Sequence, residues 1–67
     1  MSKFGIILKQ LRLENKLTQK QLAARLNVTD RSIRDWENEQ TEPAYDTLIK
    51  LAEILDVTLD ELVGRDS

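Results

Sequence analysis

Residues 18–38, TQKQLAARLNVTDRSIRDWEN, leave this chain few folds other than one built around two short helices set at an angle. Thr18 stands where a helix N-cap is needed, and Gln21, three residues on, completes the capping-box pattern. Leu22, Ala23 and Leu26 supply one apolar face. Asn27 then falls where the helix must stop, and Asn is among the few residues besides Gly that tolerate a left-handed backbone. Val28 is inward, and Thr29 caps a second helix whose buried positions are Ile33 and Trp36. Asp30, Arg31, Ser32, Arg34 and Asp35 lie between and beside those anchors, a polar face too rich in hydrogen-bonding groups to be core. Trp36, at helical spacing, reads as core and not as a stacking platform.

The flanking segments are helical too. Residues 3–15 form helix one, with Phe4, Ile7, Leu8 and Leu11 at i, i+3, i+4 and i+7, Ser2 as a cap, and Gly5 weakening it by about 1 kcal/mol relative to Ala. Residues 38–43, NEQTEP, are a loop. Residues 45–56 form helix four, with Leu48, Leu51, Ala52 and Leu55 at the same spacing. Its start has Ala44 where a capping side chain would help, although Asp46 suits the helix dipole. The pattern Leu22-Ala23-x-x-Leu26-x-Val28-Thr29 then recurs as Leu51-Ala52-x-x-Leu55-x-Val57-Thr58, 29 residues later, which predicts the same sharp turn built twice. A fifth helix, 59–63, is capped by Thr58 with Glu61 at capping-box spacing and stopped by Gly64. Its Leu59, Leu62 and Val63 close the core or, if partly exposed, form a dimer seam. The reading is an all-α single domain over residues 1–67.

LTQKQLAARLNVTDRSIRDWEN, with LIKLAEILDVTLDELV behind it, resembles the phage-repressor and Cro-like helix-turn-helix family, also called Xre-type. The likeness runs from about Phe4 to Val63, and the Leu-Thr-Gln opening, the Leu-Ala pair, the Val-Thr turn and the Trp-Glu-Asn close all fall at family spacing. It implies a compact five-helix repressor-like DNA-binding domain whose helix-turn-helix is formed by helices 2 and 3, with the third helix in the major groove of DNA. It implies that Arg12 pairs with Glu37, tying helix one to the end of helix three, and that positions 30, 31 and 35 read bases. Gln19 becomes a phosphate contact that also buttresses helix three, and Asn38 a further phosphate contact.

The residues themselves support part of this. Helix three, 30–37, is about 12 Å long at about 1.5 Å per residue, enough to enter a major groove about 12 Å wide. Arg31 offers a fork to guanine, Thr29 and Ser32 are short hydroxyls suited to phosphate or base, and Arg34 sits on the flank within reach of the backbone. Gln19 and Lys20 occupy a helix N-terminus, where exposed N–H groups favour phosphate. Asp30 and Asp35 cut the other way, although Asp can accept from cytosine N4, Asp30 suits the helix dipole, and Asp35 can orient Arg31 one turn away. The loop also departs from the family, which places Gly, Lys or Arg where Glu39, Gln40 and Glu42 stand; lost phosphate contacts would weaken binding and flatten its salt dependence.

Charge divides along the chain. Residues 1–36 hold eight basic and three acidic side chains, +5, while residues 37–67 hold two basic and nine acidic, −7, for the net −2. The cationic half contains the helix-turn-helix, as a polyanionic partner requires. With no His and no Cys there is no Ser-His-Asp arrangement, no zinc site and no disulfide, and DVTLDELVGRD lacks calcium-loop spacing. These absences predict a non-enzyme without metal or cofactor, at home in a reducing cytoplasm, and no apolar run approaches the roughly 20 residues of a membrane span.

The expected function is sequence-specific DNA-binding transcriptional regulation, most simply repression. Its partner would be double-stranded operator DNA, bound by a homodimer on palindromic half-sites, with no membrane and no small-molecule substrate. The alternative is a protein-interaction module of the same fold, antitoxin-like or antirepressor-binding, with weak DNA affinity. The acidic loop and the two reading-face carboxylates favour that alternative.

Overall fold

A computed structural model describes residues 3–65. It contains α1 (Phe4–Glu14), α2 (Gln19–Leu26), α3 (Asp30–Glu37), α4 (Tyr45–Leu55) and α5 (Leu59–Val63), with no strand among the described residues. The all-α expectation with five helices holds. Helices one and four are trimmed at their ends: Lys3 and Asn15 flank α1, and Asp56 has left α4 for a left-handed backbone. The cap assigned to Ser2 lies outside the described residues. Lys3 is the N-cap of α1, and its side chain makes no capping hydrogen bond.

The starts and stops follow from local chemistry. Thr18 with Gln21 and Thr58 with Glu61 both form complete capping boxes, and Thr29 accepts from the Ser32 N–H at the start of α3. Ala44 provides no side-chain cap to α4, which starts without one. Each helix then ends through a residue at positive φ: Lys16, Asn27, Glu39, Asp56 and Gly64. At every one of these ends, the left-handed residue's N–H bonds back three residues and the next residue's N–H bonds back five, the Schellman pair that satisfies the last carbonyls. The pattern foresaw Asn27 and Gly64. Lys16 and Glu39 adopt the same geometry despite a Cβ that costs about 1–2 kcal/mol in this region, because the packed helices on either side leave the chain no other exit.

The core draws at least one fully buried side chain from every helix: Phe4 and Leu8 from α1, Leu22 from α2, Ile33 from α3, Leu51 from α4 and Leu62 from α5. Each contributes about 1.5–3 kcal/mol relative to exposure. Trp36 is buried among them, in line with the core reading. Leu62 closes the core, where the core reading holds; Leu59 and Val63 pack against it and stay half-buried. α1 lies against α3 and α5, α2 against α3 and α4, and α4 against α5.

Gly5 is a revision. Read from propensity it only weakens helix one, yet a Cβ at this position would stand 2.4 Å from the Glu37 carbonyl oxygen. Its missing side chain is what lets α1 lie directly on the end of α3.

Candidate nucleic-acid interface

α2 and α3 meet through the turn at Asn27 (φ 59), which sends the chain off α2 at an angle and delivers Thr29 as the cap of α3. Ile33 and Trp36 pin one side of α3 to the core. That leaves Arg31 and Arg34 exposed and Asp30, Ser32 and Asp35 half-buried around the remaining face. The side-chain hydrogen bonds and the ion pair of that face run within the turn and the helix itself.

The far end of α3 is fixed by a buried network. Arg12 Nε donates to Glu37 Oε2 at 2.6 Å and Nη2 to Oε1 at 3.2 Å, with the two side chains only 8% and 4% exposed. Arg12 Nη1 donates to the Leu17 carbonyl at 2.9 Å, and Gln19 Nε2 adds 3.1 Å to Glu37 Oε1. The Arg12–Glu37 pair thus joins α1, the turn after it, the first turn of α2 and the end of α3. No buried side-chain nitrogen or oxygen among the described residues lacks a partner, the condition under which a buried ion pair is tolerated. Arg12 is therefore spent on Glu37 and adds little to any field reaching a ligand.

The other assigned residues fall as follows. Gln19 is half-buried, its amide nitrogen held by Glu37, and Lys20 is exposed beside it in the first turn of α2. Thr29 Oγ1 accepts from the Ser32 N–H at 3.2 Å and lies 3.1 Å from Ser32 Oγ, so both hydroxyls already serve the start of α3. Asp30 occupies the first turn of α3, where its charge suits the dipole. Arg31 Nε lies 3.9 Å from Asp35 Oδ2, one turn away. Arg34 is exposed on the flank, and Asn38 is exposed at the C-terminal end of α3.

Glu39 was missed. It reads as a loop charge hostile to phosphate, but its carboxylate accepts the backbone N–H of Gly5, 34 residues earlier. It supplies the cap that Lys3 does not provide, at the positive end of α1. The sequence offers Ser2 as the cap of this helix and gives no local sign of Glu39, whose partner lies 34 residues away. Part of the loop's negative charge is thus turned onto α1, which softens the objection that the loop raised to a polyanionic partner.

This arrangement of helices is matched among known proteins. A family model described as Helix-turn-helix covers residues 8–62. The HTH-type transcriptional regulator ImmR of Bacillus subtilis (strain 168) is 36% identical over 62 residues, covering 92% of this chain and 49% of ImmR. The HTH-type transcriptional activator BcrR of Enterococcus faecalis is 38% identical over 63 residues, 94% of this chain and 31% of BcrR. The P22 c2 repressor, solved in complex with a synthetic operator, superposes with a TM-score of 0.87 at 28% identity, over 94% of this chain and 96% of that one. The chain spans half or less of the length of these two curated relatives. With the model matching most of its length and the two helices and their turn in place, this chain belongs to the helix-turn-helix family of the phage-repressor and Cro-like, Xre type.

Proposed function

We propose that this chain is a DNA-binding transcriptional regulator that lays α3 in the major groove of an operator. The observation that carries the reading is the contrast along α3: its Glu37 end is locked by Arg12 and Gln19, while Arg31, with a side chain 82% exposed, pairs within α3 itself, with Asp35. A helix held rigidly at one end and bare along one face is preorganised for insertion into a groove about 12 Å wide. Lys20 and the N-terminal N–H groups of α2 meet the phosphates on one side, with Gln19, and Arg34 and Asn38 meet them on the other. Thr29 and Ser32 stand at the entry of α3, and Asp30, Arg31 and Asp35 face the bases. The operator contact made by the P22 c2 repressor supports this docking.

Occupancy alone blocks a promoter, so repression is the simplest output of this domain; an operator placed beside the promoter would convert the same contact into activation, the role BcrR carries. One short helix reads few base pairs, and useful specificity calls for two copies on half-sites about 34 Å apart. The reading is therefore a homodimer on palindromic DNA, working in the cytoplasm without catalysis; no helix among the described residues is long and apolar enough to cross a membrane. The protein-interaction alternative draws on the reading-face carboxylates, and Asp35 lying beside Arg31 weakens it.

The test is binding to duplexes enriched from a random pool. Lys20→Glu combined with Arg31→Glu abolishes binding, and Lys50→Glu, on exposed α4 surface, leaves it intact. The affinity falls with salt at a slope of about −0.9 per phosphate neutralised. Equal binding by both variants, or a flat salt dependence, removes the proposal.

A further inference from the structure

Arg31 and Asp35 stand one helical turn apart on the open face of α3, and the way they meet restricts what that face can read. Their contact runs from Arg31 Nε to Asp35 Oδ2 at 3.9 Å. It engages the guanidinium on the nitrogen nearest its own stem. The two terminal Nη groups, the fork that matches guanine O6 and N7, have no partner among the described residues, and neither has Asp35 Oδ1. The carboxylate is the more sheltered member, 32% exposed against 82% for the arginine, so it can steady the stem while the fork reaches outward.

Resting on the docking proposed above, we infer that Arg31 and Asp35 act as one reading unit for two neighbouring base pairs, a guanine facing Arg31 and a cytosine amine facing Asp35. The two side chains stand side by side on the open face of α3, Nε to Oδ2 at 3.9 Å, which lets the fork and the carboxylate address neighbouring base pairs. An ionised carboxylate only accepts hydrogen bonds, so it repels the acceptor edges of guanine and of thymine O4. Cytosine offers its N4 amine with C5–H on one side and only the paired guanine O6 on the other, whereas the adenine amine stands between its own N7 and thymine O4, two acceptors whose lone pairs face the carboxylate unfavourably. Asp35 is thus a specificity-determining residue in its own right and a positioning residue for Arg31. A carboxylate on a DNA-facing surface becomes a filter, excluding wrong bases at the cost of some affinity.

The experiment selects duplexes from a random pool with the parent protein, Arg31→Ala, Asp35→Ala and Asp35→Asn. The parent enriches half-sites that contain the adjacent guanine and cytosine. Arg31→Ala loses the guanine preference. Asp35→Asn keeps the guanine but moves the neighbouring preference to adenine, since an amide pairs with adenine N6 and N7; Asp35→Ala keeps the guanine and flattens the neighbouring position. Each change alters discrimination by about 5- to 150-fold, the range of one good base contact. A purely structural role for Asp35 would weaken all duplexes alike. A parent operator lacking the guanine–cytosine step, or an unchanged profile for both Asp35 variants, overturns the reading unit while leaving the docking in place. Failure of the parent to enrich any duplex overturns both.

Discussion

The molecule makes the same turn twice and uses it for two different ends. At Asn27 and at Asp56 the backbone turns left-handed with φ of 59 and 58. The N–H of Val28 reaches the Ala23 carbonyl and that of Val57 the Ala52 carbonyl, each at 3.0 Å, and the two companion bonds are each 3.3 Å. Leu22 and Leu51 are both fully buried, and Thr29 and Thr58 cap α3 and α5 respectively. The turns part company only beyond that point. α3 runs for 8 residues, is clamped at its end by Arg12 and Gln19, and shows arginines on its open face. α5 runs for 5 and has acidic residues in its first turn, and no comparable clamp joins its end to α1 or α2 among the described residues. A turn of this kind is thus a local device, indifferent to use. What makes one copy a candidate reading head is the surface carried after the turn and the rigidity supplied behind it.

The largest test of that contrast removes the clamp. Arg12→Ala leaves the Glu37 carboxylate buried without its cation and should cost about 3–5 kcal/mol, enough to unfold much of so small a protein. Lys9→Ala, on exposed α1 surface, should stay within about 0.5 kcal/mol. Equal thermal melts for the two would show that α3 is no better anchored than α5. Next comes Gly5→Ala, where helix propensity favours alanine but the Glu37 carbonyl lies 2.4 Å from the new Cβ. The clash should win, lowering stability by about 1–3 kcal/mol in denaturant titration, and a stabilised variant would show that α1 does not grip α3 this closely.

Smaller effects sharpen the likeness of the two turns. Thr29→Ala and Thr58→Ala each remove one cap and should each cost about 1 kcal/mol by chemical unfolding. Only the first should also weaken DNA binding, so similar losses of affinity from both would erase the functional difference. The smallest effect is acid-dependent. The Thr58 backbone N–H, and after it the Thr58 hydroxyl, hold the Glu61 carboxyl below its ordinary value of 4.5. A carboxylate lowered in the folded state stabilises fully above that ordinary value and loses its contribution as pH falls through the folded one. Glu61→Gln keeps the cap without the proton, as Gln21 already does on α2, and should flatten the acid limb of melting temperature against pH while leaving neutral stability nearly unchanged.

The features legible in the sequence share one property: their cause lies within a few residues. Both capping boxes, the Asn27 stop, the apolar stripes and the repeated turn each depend on partners about one helical turn apart, which a string of letters displays directly. Gly5 and Glu39 were misjudged because their partners lie more than thirty residues away, on the end of α3 and at the start of α1. Propensity makes the first a weak helix residue, and charge counting makes the second a repellent loop. Lys16 and Glu39 at positive φ carry no local signature either, since packing and not preference puts them there.

The sequence by itself determined that there are five helices, which threonines open α2, α3 and α5, that α2 stops at Asn27 and α5 at Gly64, and which faces turn inward, because capping and hydrophobic periodicity act at short range. Only the tertiary structure decided that α1 lies on α3 through a bare glycine, that one buried carboxylate collects Arg12 and Gln19, and that a loop glutamate caps a distant helix. Those are contacts between segments remote in the chain, and they exist only once the core has closed and excluded water around them.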